Sequence, residues 1–325
     1  LETALPDGIA LERARRSLQE ERTIFALQNA SLRVEKQEYA DLGDMENTHQ
    51  YPSLSVVDYD GDGHDDLFLT ARWSPPQLLR NRGDGTFEDV TIRSGLHVEN
   101  CVMCALFADF DNDGDPDVLL GRSIEPTRYF VNEDGVFHDA TDELTDLGDQ
   151  YFVSAASVTD INRDGHDDFL LLDMLARQQA RRLVHLDKEK PIPSVVGKFD
   201  DRPRYNRNAL LVSRGDGTWL EAANYAGLEA SDWSWTAAFI DVDLDGLEDV
   251  LITNGFSFDT LDIDSKNRVA AIQNATKLPT AELKRLRKHR PAWPSANAAF
   301  RNLGGLKFAP ASSDWGFDHV GVSYG

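Results

Sequence analysis

Four near-identical nine-residue strings set the tightest limit on what this chain can fold into. Each has carboxylate or amide oxygens at positions 1, 3 and 5, a Gly at position 6 and an Asp at position 9. Alternate oxygens, with a Gly that permits a sharp turn, can surround one hard cation, and Ca²⁺ takes about 6–8 of them. Because carboxylates crowded together without a cation repel one another, the pattern predicts about four bound Ca²⁺ ions, one per repeat. We name the strings loops 1 to 4: Asp58–Asp66 (DYDGDGHDD), Asp109–Asp117 (DFDNDGDPD), Asp160–Asp168 (DINRDGHDD) and Asp241–Asp249 (DVDLDGLED).

The spacing of these loops predicts the architecture. Their starts are 51, 51 and 81 residues apart, and each loop lies between two short apolar runs. A glycine turn follows each loop, at 80–89, 131–139, 212–220 and 301–310. The resulting order of strand, loop, strand, connection, strand, glycine turn, strand is typical of a four-stranded antiparallel β-propeller blade. A nonapeptide solenoid would instead repeat every nine residues or so.

The fold class predicted is therefore all-β, with four complete and two partial blades in one domain or domain segment. The partial copies are 26–34, which resembles a worn glycine-turn motif, and 319–325, which aligns with the strand before a loop. Because a propeller must close, the chain is expected to be part of one with about seven or eight blades. Residues 1–23 are expected to be a helical insertion of a preceding blade, and 174–207 and 256–297 to be insertions between blade strands.

Charge and composition exclude some classes of function. The chain has 56 acidic and 33 basic residues, a net charge of −23, and 19 of the acids lie in the four loops. Four Ca²⁺ ions would bring the balance to −15, still the wrong sign for a nucleic-acid partner. No apolar run reaches transmembrane length and no signal peptide begins the chain.

The two cysteines and the calcium affinity bear on the compartment. Cys101 and Cys104 lie in an apparent strand, where positions i and i+3 face opposite ways, so packed free thiols are expected. Extracellular calcium modules bind at roughly 10⁻⁴–10⁻³ M and would be empty in the cytosol. The expected location is therefore extracellular, at the cell surface or periplasmic.

The tandem of the Asp-rich loop with Asn-x-Gly-Asp-Gly-Thr-Phe-x-Asp resembles a known family. It is similar to the FG-GAP (VCBS-type) repeat proteins, which include the integrin α-subunit head. Together with the ITNG segment at 252–255, it looks like the branch that contains cartilage acidic protein 1 and bacterial ASPIC/UnbV proteins. The resemblance runs from about residue 24 to the end. It implies a calcium-binding extracellular propeller used for adhesion or recognition.

The resemblance also implies a ligand set, carried over position by position. A backbone carbonyl at position 7 would add one ligand to each loop, and Asn162 departs from the acidic pattern, so loop 3 is expected to bind more weakly. The implied side-chain ligands are Asp58, Asp60, Asp62 and Asp66; Asp109, Asp111, Asp113 and Asp117; Asp160, Asn162, Asp164 and Asp168; and Asp241, Asp243, Asp245 and Asp249. The implied carbonyl ligands belong to His64, Asp115, His166 and Leu247.

Strand alternation predicts where a partner binds. Loops and glycine turns should lie on one face and both insertions on the other, so a protein or glycan ligand is expected opposite the calcium loops. A basic stretch at 177–207, a basic helix at 278–290 and several aromatic residues fall there. A solvated cover over the propeller face explains the basic segments equally well, and blade packing explains most of the aromatic residues. The aromatic residues are Tyr51, Trp73, Tyr151, Phe152, Trp233, Trp235, Phe256 and Phe258.

The sequence predicts a binding protein and not an enzyme. GVSYG at 321–325 matches a nucleophile elbow around Ser323, but it aligns with a blade strand, whereas that chemistry needs a strand-to-helix turn with a placed His and acid. The alternative is a carbohydrate-active propeller, a polysaccharide lyase or glycoside hydrolase that uses some of the carboxylates.

Overall fold

The computed structural model describes residues 53–71, 74–99, 102–123, 126–143, 149–150, 153–185, 204–205, 207–275, 286 and 290–323. The predicted elements at 1–23 and 26–34, and most of the basic segment 278–290, lie outside these residues. The chain divides into two compact units, Leu1–Leu144 and Thr145–Gly325. The described part of each unit holds two four-stranded antiparallel sheets.

The first unit contains sheets I and II. In both sheets the strands are hydrogen-bonded in chain order, so each is a simple meander. Loops 1 and 2 join the first strand to the second, and the glycine turns join the third to the fourth. Sheet I consists of β1 (Ser53–Val57), β2 (Asp66–Ala71), β3 (Ser74–Asn81) and β4 (Phe87–Asp89). Sheet II consists of β5 (Val102–Ala108), β6 (Asp117–Arg122), β7 (Arg128–Glu133) and β8 (Val136–Asp139).

The second unit contains sheets III and IV, built in the same order, together with two short two-stranded pairs. Sheet III consists of β10 (Ala155–Thr159), β11 (Asp168–Leu172), β13 (Ala209–Ser213) and β14 (Trp219–Glu221). Sheet IV consists of β15 (Ser234–Ile240), β16 (Asp249–Asn254), β18 (Ala298–Asn302) and β19 (Phe308–Pro310). The pairs are β9 (Asp149–Gln150) with β12 (Arg204–Tyr205), parallel, and β17 (Ser295–Ala296) with β20 (Val320–Gly321), antiparallel.

Short helices complete the described residues. They are α1 (Gln179–His185), α2 (Ala223–Ala226) and α3 (Ile263–Ala275), and a single 3₁₀ turn covers Thr141–Glu143. Helices α1 and α3 both lie in connections between the second and third strands of their sheets. The described parts of the two predicted insertions therefore begin at the ends of sheets III and IV that are opposite loops 3 and 4.

Apolar side chains from the two sheets of a unit form one core. In the first unit Phe68 and Leu78 of sheet I pack with Val118, Leu120 and Phe130 of sheet II. The strongly apolar run that follows each loop explains this arrangement, because it becomes the second strand; β6 and β11 are buried along their whole length. Burial of large aliphatic and aromatic side chains, at roughly 1.5–3 kcal/mol each, stabilises the pairing of neighbouring sheets.

The same packing is repeated in the second unit. Leu170 and Leu210 of sheet III meet Val250 and Phe300 of sheet IV, and the first strands β10 and β15 lie side by side. Cys104, in the first strand of sheet II, is a free thiol, and burial raises its pKa to about 12. The strand predicted around the cysteines is present from Val102 onward, while Cys101 lies outside the described residues.

The aromatic residues expected near the insertions pack against one another. Trp233 and Trp235 are buried, and Phe256 stacks on Trp233 with a centroid separation of 4.4 Å. Trp293, only 1% exposed, meets Trp233 edge to face. Blade packing, one of the two explanations left open by the sequence, accounts for these residues. Tyr51, Trp73, Tyr151 and Phe152 lie outside the part whose side chains are described.

Candidate metal centres

All four loops close around the carboxylate at position 1. Its Oδ1 accepts the backbone N–H of position 5 at 3.0–3.1 Å, and its Oδ2 accepts the N–H of the position 6 glycine at 2.9–3.1 Å. Only a chain that reverses sharply can bring both amides to one carboxylate, and the glycine has a positive φ of 84–102° in every loop. The residues at position 1 are Asp58, Asp109, Asp160 and Asp241.

The carboxylate at position 9 fastens each loop to its sheet. It is fully buried in every loop, and one oxygen accepts the N–H of position 2 at 2.9–3.2 Å. The other oxygen accepts a backbone N–H from the third strand of the same sheet at 2.6–2.8 Å. Position 9 therefore ties loop, second strand and third strand together. The pairs are Asp66 with Asn81, Asp117 with Asn132, Asp168 with Ser213, and Asp249 with Asn302.

Burial changes the acidity of three of these carboxyl groups. Removal from water raises the pKa of Asp66 to about 6 and the pKa values of Asp117 and Asp168 to about 7, against the opposing effect of the backbone hydrogen bonds. Neighbouring carboxylates in the same loop raise the pKa further.

The residue at position 7 makes contacts through both its backbone and its side chain. Its N–H donates to the position 5 carboxylate at 2.8–3.0 Å in every loop, and its side chain reaches the glycine turn of the same sheet. A Cβ placed on Gly83 would lie 2.5 Å from Nε2 of His64, and one on Gly215 equally close to His166. Asp115 instead accepts the N–H of Asp134 at 2.8 Å. In loops 1, 2 and 3 the position 7 side chain therefore links the loop to the glycine turn of its sheet.

Carboxylate oxygens converge in three of the loops. The oxygens lie within 4.8 Å of one another in three groups, a spacing that Ca²⁺–oxygen distances of about 2.3–2.6 Å can bridge. Asp60 Oδ1 is moreover buried without a hydrogen-bond partner. These oxygens fit a hard cation. The groups are Asp58 with Asp60 and Asp62, Asp109 with Asp111 and Asp113, and Asp241 with Asp243 and Asp249.

Loop 3 is arranged differently because Asn162 replaces a carboxylate. The Asn162 amide donates to Asp164 Oδ2 at 2.9 Å, and its Oδ1 accepts the Asp164 N–H at 3.0 Å. Only the bond from the Asn162 amide nitrogen is particular to loop 3, since in loop 2 the Asp113 N–H likewise donates to the position 3 oxygen of Asp111, at 3.2 Å. The assignment of individual ligands in all four loops, including the position 7 carbonyls, stays a prediction.

Two arginines that the sequence did not predict as site residues contact the carboxylates of loops 1 and 4. Arg80, on β3, donates through Nε to Asp60 and through Nη2 to Asp62, the second at 2.7 Å. Arg301, at the equivalent place on β18, lies with Nε 2.8 Å from Asp243 Oδ2. Each precedes the Asn whose N–H binds position 9. The signal was present in the two copies of Arg-Asn at the start of the glycine-turn motif.

The described arginines of the first insertion pair with acids of their own unit. Arg177 Nε lies 2.7 Å from Asp232, and Arg181 Nη1 lies 3.1 Å from Asp259. Asp259 is almost wholly buried and also contacts His185 Nε2 at 2.8 Å. These basic residues serve the insertion itself, and an open cavity of about 450 Å³ remains beside them, lined by Arg177, Gln179, Arg182 and Leu183.

Four-stranded meanders whose first strands lie side by side are propeller blades, so the fold and its acidic loops define a β-propeller repeat protein. The predicted all-β fold with four complete blades is confirmed. FG-GAP-like repeats match residues 58–120, 109–171 and 195–252, which is more than half of the chain. The chain belongs to the FG-GAP-like repeat family, and its branch within that family stays a prediction.

No curated protein matches the sequence. Among solved structures, a lectin from Agrocybe aegerita, described as recognising non-reducing terminal N-acetylglucosamine, is 16% identical with a TM-score of 0.37. The match covers 78% of this chain and 50% of the lectin, so the chain spans about half the lectin's length. Among the described residues, no helix has the length and apolar character needed to cross a membrane.

Proposed function

We infer that this protein is an extracellular, calcium-stabilised β-propeller that works as an adhesion or recognition module. The observation that carries this proposal is one hydrogen-bond pattern repeated in four acidic loops, three of which gather carboxylate oxygens within 4.8 Å. Oxygen donors of this kind suit Ca²⁺. The residues at positions 1, 3, 5 and 9 would hold the ion, which supplies the positive charge that the crowded carboxylates lack.

The role proposed for calcium is structural. The position 9 carboxylates are buried and bound to backbone amides of two strands, so a loaded loop stabilises the hairpin on which each blade depends. Extracellular calcium modules bind at roughly 10⁻⁴–10⁻³ M and would be empty in the cytosol, which supports a proposed location at the cell surface, in the periplasm or outside the cell. No step of chemical turnover is part of this proposal.

The partner is proposed to be a protein or glycan that binds opposite the loops. Support comes from the two insertions, which share an aromatic and ion-paired core around Trp293 and Asp259, and from the cavity beside Arg177 and Arg182. Leu183, at the rim of that cavity, is 60% exposed. A surface held in one shape by its own core suits recognition, because less conformational entropy is lost on binding.

Calorimetric titration with Ca²⁺, paired with thermal melts in calcium and in chelator, tests the metal proposal. About four sites and a large drop in melting temperature on chelation are expected. Mg²⁺ at the same concentration should substitute poorly, because it demands tighter octahedral geometry. No binding and an unchanged melting temperature would overturn the calcium proposal, and with it the argument for an extracellular location.

Arrays of glycans and of extracellular-matrix proteins test the partner proposal. Leu183→Asp should abolish the binding of any partner that the arrays identify. Leu303 is equally exposed and lies in the glycine turn of sheet IV, so Leu303→Asp should leave that binding unchanged. The opposite result would move the binding surface to the loop end. Turnover of a polysaccharide by the wild-type protein would replace recognition with the carbohydrate-active alternative.

A further inference from the structure

We propose that Arg80 and Arg301 act as built-in counter-charges that weaken cation binding at loops 1 and 4 and leave loop 2 as the tightest site. This inference rests on the proposed calcium function. It concerns which loops fill first, which neither the family nor the repeat pattern indicates.

Loop 1 shows the arrangement most fully. The Arg80 guanidinium spans the carboxylates at positions 3 and 5 by donating to Asp60 and Asp62. Both carboxylate side chains are largely shielded, at 15% and 25% exposed. A planar guanidinium bound to two carboxylates forms charge-assisted hydrogen bonds, which are about twice as strong as neutral ones. A cation that binds in loop 1 must therefore share the carboxylates of Asp60 and Asp62 with the guanidinium or displace it.

Loop 4 has a weaker form of this arrangement, an ion pair in which Arg301 Nε makes no hydrogen bond to a described residue. Arg301 Nε lies 2.8 Å from Asp243 Oδ2, at position 3, and its guanidinium carbon lies 5.2 Å from the centre of the Trp315 ring. The ring holds the cationic group beside the loop through a cation–π contact. Arg301 precedes Asn302 on β18 as Arg80 precedes Asn81 on β3, so the two arginines occupy one structural position.

Valine fills that position in the other two blades. Val131 precedes Asn132 and Val212 precedes Ser213, and neither side chain carries a charge. Counting the side chains at positions 1, 3, 5 and 9, loop 2 has a formal charge of −4 and loop 3 has −3, because Asn162 is neutral. Loops 1 and 4 have −4 + 1 = −3 once the arginine is included.

The charge of the ligand set is one of the terms that tune Ca²⁺ affinity, so loop 2 is expected to bind most tightly. In the absence of cation, the same arginines relieve repulsion among the carboxylates of loops 1 and 4. Each compact unit then contains one loop balanced by an arginine of its third strand and one loop whose third strand has a valine at that place. We expect the arginine-balanced loops to stay folded at low calcium, when loop 2 loses more order.

Exchange of the two residue types tests the proposal. Arg80→Val should tighten Ca²⁺ binding at loop 1 by about tenfold, and Val131→Arg should weaken it at loop 2 by a similar factor. Binding is followed by calorimetry and, for single loops, by the amide NMR signals of the position 6 glycines, Gly63 and Gly114. Arg82→Val is the matched control, since Arg82 pairs with Glu88 outside the loop and its removal should change neither constant.

A second readout uses the cation-free protein, where Arg80→Val should lower the melting temperature in chelator but not in excess Ca²⁺. Arg80→Lys, which keeps the charge and loses the planar fork, should fall between wild type and Arg80→Val in both measurements. Unchanged loop 1 affinity in Arg80→Val, with Ca²⁺ still bound by the wild type, overturns this inference alone. Absence of Ca²⁺ binding at every wild-type loop overturns the proposed function as well.

Discussion

The buried carboxylate of Asp117 accepts the backbone N–H of Asn132 at 2.8 Å, which joins the end of loop 2 to the third strand of its blade. The same carboxylate accepts the N–H of Phe110 and the hydroxyl of Tyr129, each at 3.2 Å. A single side chain thus closes the loop and positions the strand beside it. The equivalent carboxylate does this in every described blade, which makes position 9 the structural centre of the repeat.

Asp117→Ala should therefore be severely destabilising. Three donors lose their acceptor, and unsatisfied buried donors cost about 1–3 kcal/mol each, so a loss of about 3–5 kcal/mol in the free energy of unfolding is expected. Urea denaturation in excess Ca²⁺ measures it. Glu133→Ala removes the same charge from an exposed side chain and should cost less than about 1 kcal/mol. Equal losses in the two variants would contradict the structural role.

Calcium should stabilise the fold in proportion to its concentration. At about ten times Kd each loop contributes about 1.4 kcal/mol, and four loops about 5–6 kcal/mol, to the free energy of unfolding. That sum is comparable to the whole net stability of an ordinary domain. Denaturation midpoints measured across a calcium series should rise with the logarithm of free Ca²⁺ above Kd. A flat series would show that the loops contribute no cation-linked stability.

Gly83→Ala tests the contact between loop 1 and its glycine turn. Gly83 has a φ of +71°, and an added Cβ would meet the His64 ring, so a cost of about 2 kcal/mol is expected from backbone strain and overlap. In the His64→Ala background the overlap disappears and only the strain, about 1 kcal/mol, remains. A double-mutant cycle should give a coupling of about 1 kcal/mol. A coupling of zero would mean that ring and turn do not touch in solution.

Gly255, the glycine of the ITNG segment, should tolerate no side chain. Its φ is +115°, and a Cβ there would overlap the carbonyl oxygen of Gly321. Because the Gly321 oxygen belongs to the backbone and a Cβ is fixed rigidly to its own backbone, neither atom can move away cheaply, and Gly255→Ala should cost about 3 kcal/mol or more. Gly305→Ala, at a φ of +60° with open space around it, should cost only about 1 kcal/mol. Thermal melts that rank the two variants in reverse order would contradict this packing.

Asp259→Ala should release the two insertions while the blades stay folded. Its carboxylate contacts Arg181 and His185 of α1, and it also accepts the backbone N–H groups of Leu261 and Asp262. Limited proteolysis should cut the insertions of this variant at least about tenfold faster, because local opening governs cleavage. Asp264→Ala, at an exposed position in the first turn of α3, is the control and should be cut at the wild-type rate. Unchanged cleavage of Asp259→Ala would show that other contacts hold the insertions.

Much of the fold could be predicted because its signals are local. The apolar runs that flank each loop became the first and second strands, and the positions of α1 and α3 follow from the long gaps after β11 and β16. The pairing of the basic residues in the first insertion could not be predicted. The described arginines find acidic partners far along the chain, such as Arg181 and Asp259, 78 residues apart, and no local pattern indicates such a pairing.

The amino-acid sequence by itself determined the four blades and their acidic loops, since strand alternation, the position 6 glycine and the spacing of the repeat are properties of short segments. The tertiary structure decided which side chains of the third strand and the glycine turn contact each loop. Only when the third strand lies beside the loop does Arg80 reach Asp60 and Asp62, Asn132 reach Asp117, and His64 reach Gly83. These contacts depend on strand register and on packing across the sheet, so they exist only once the chain is folded.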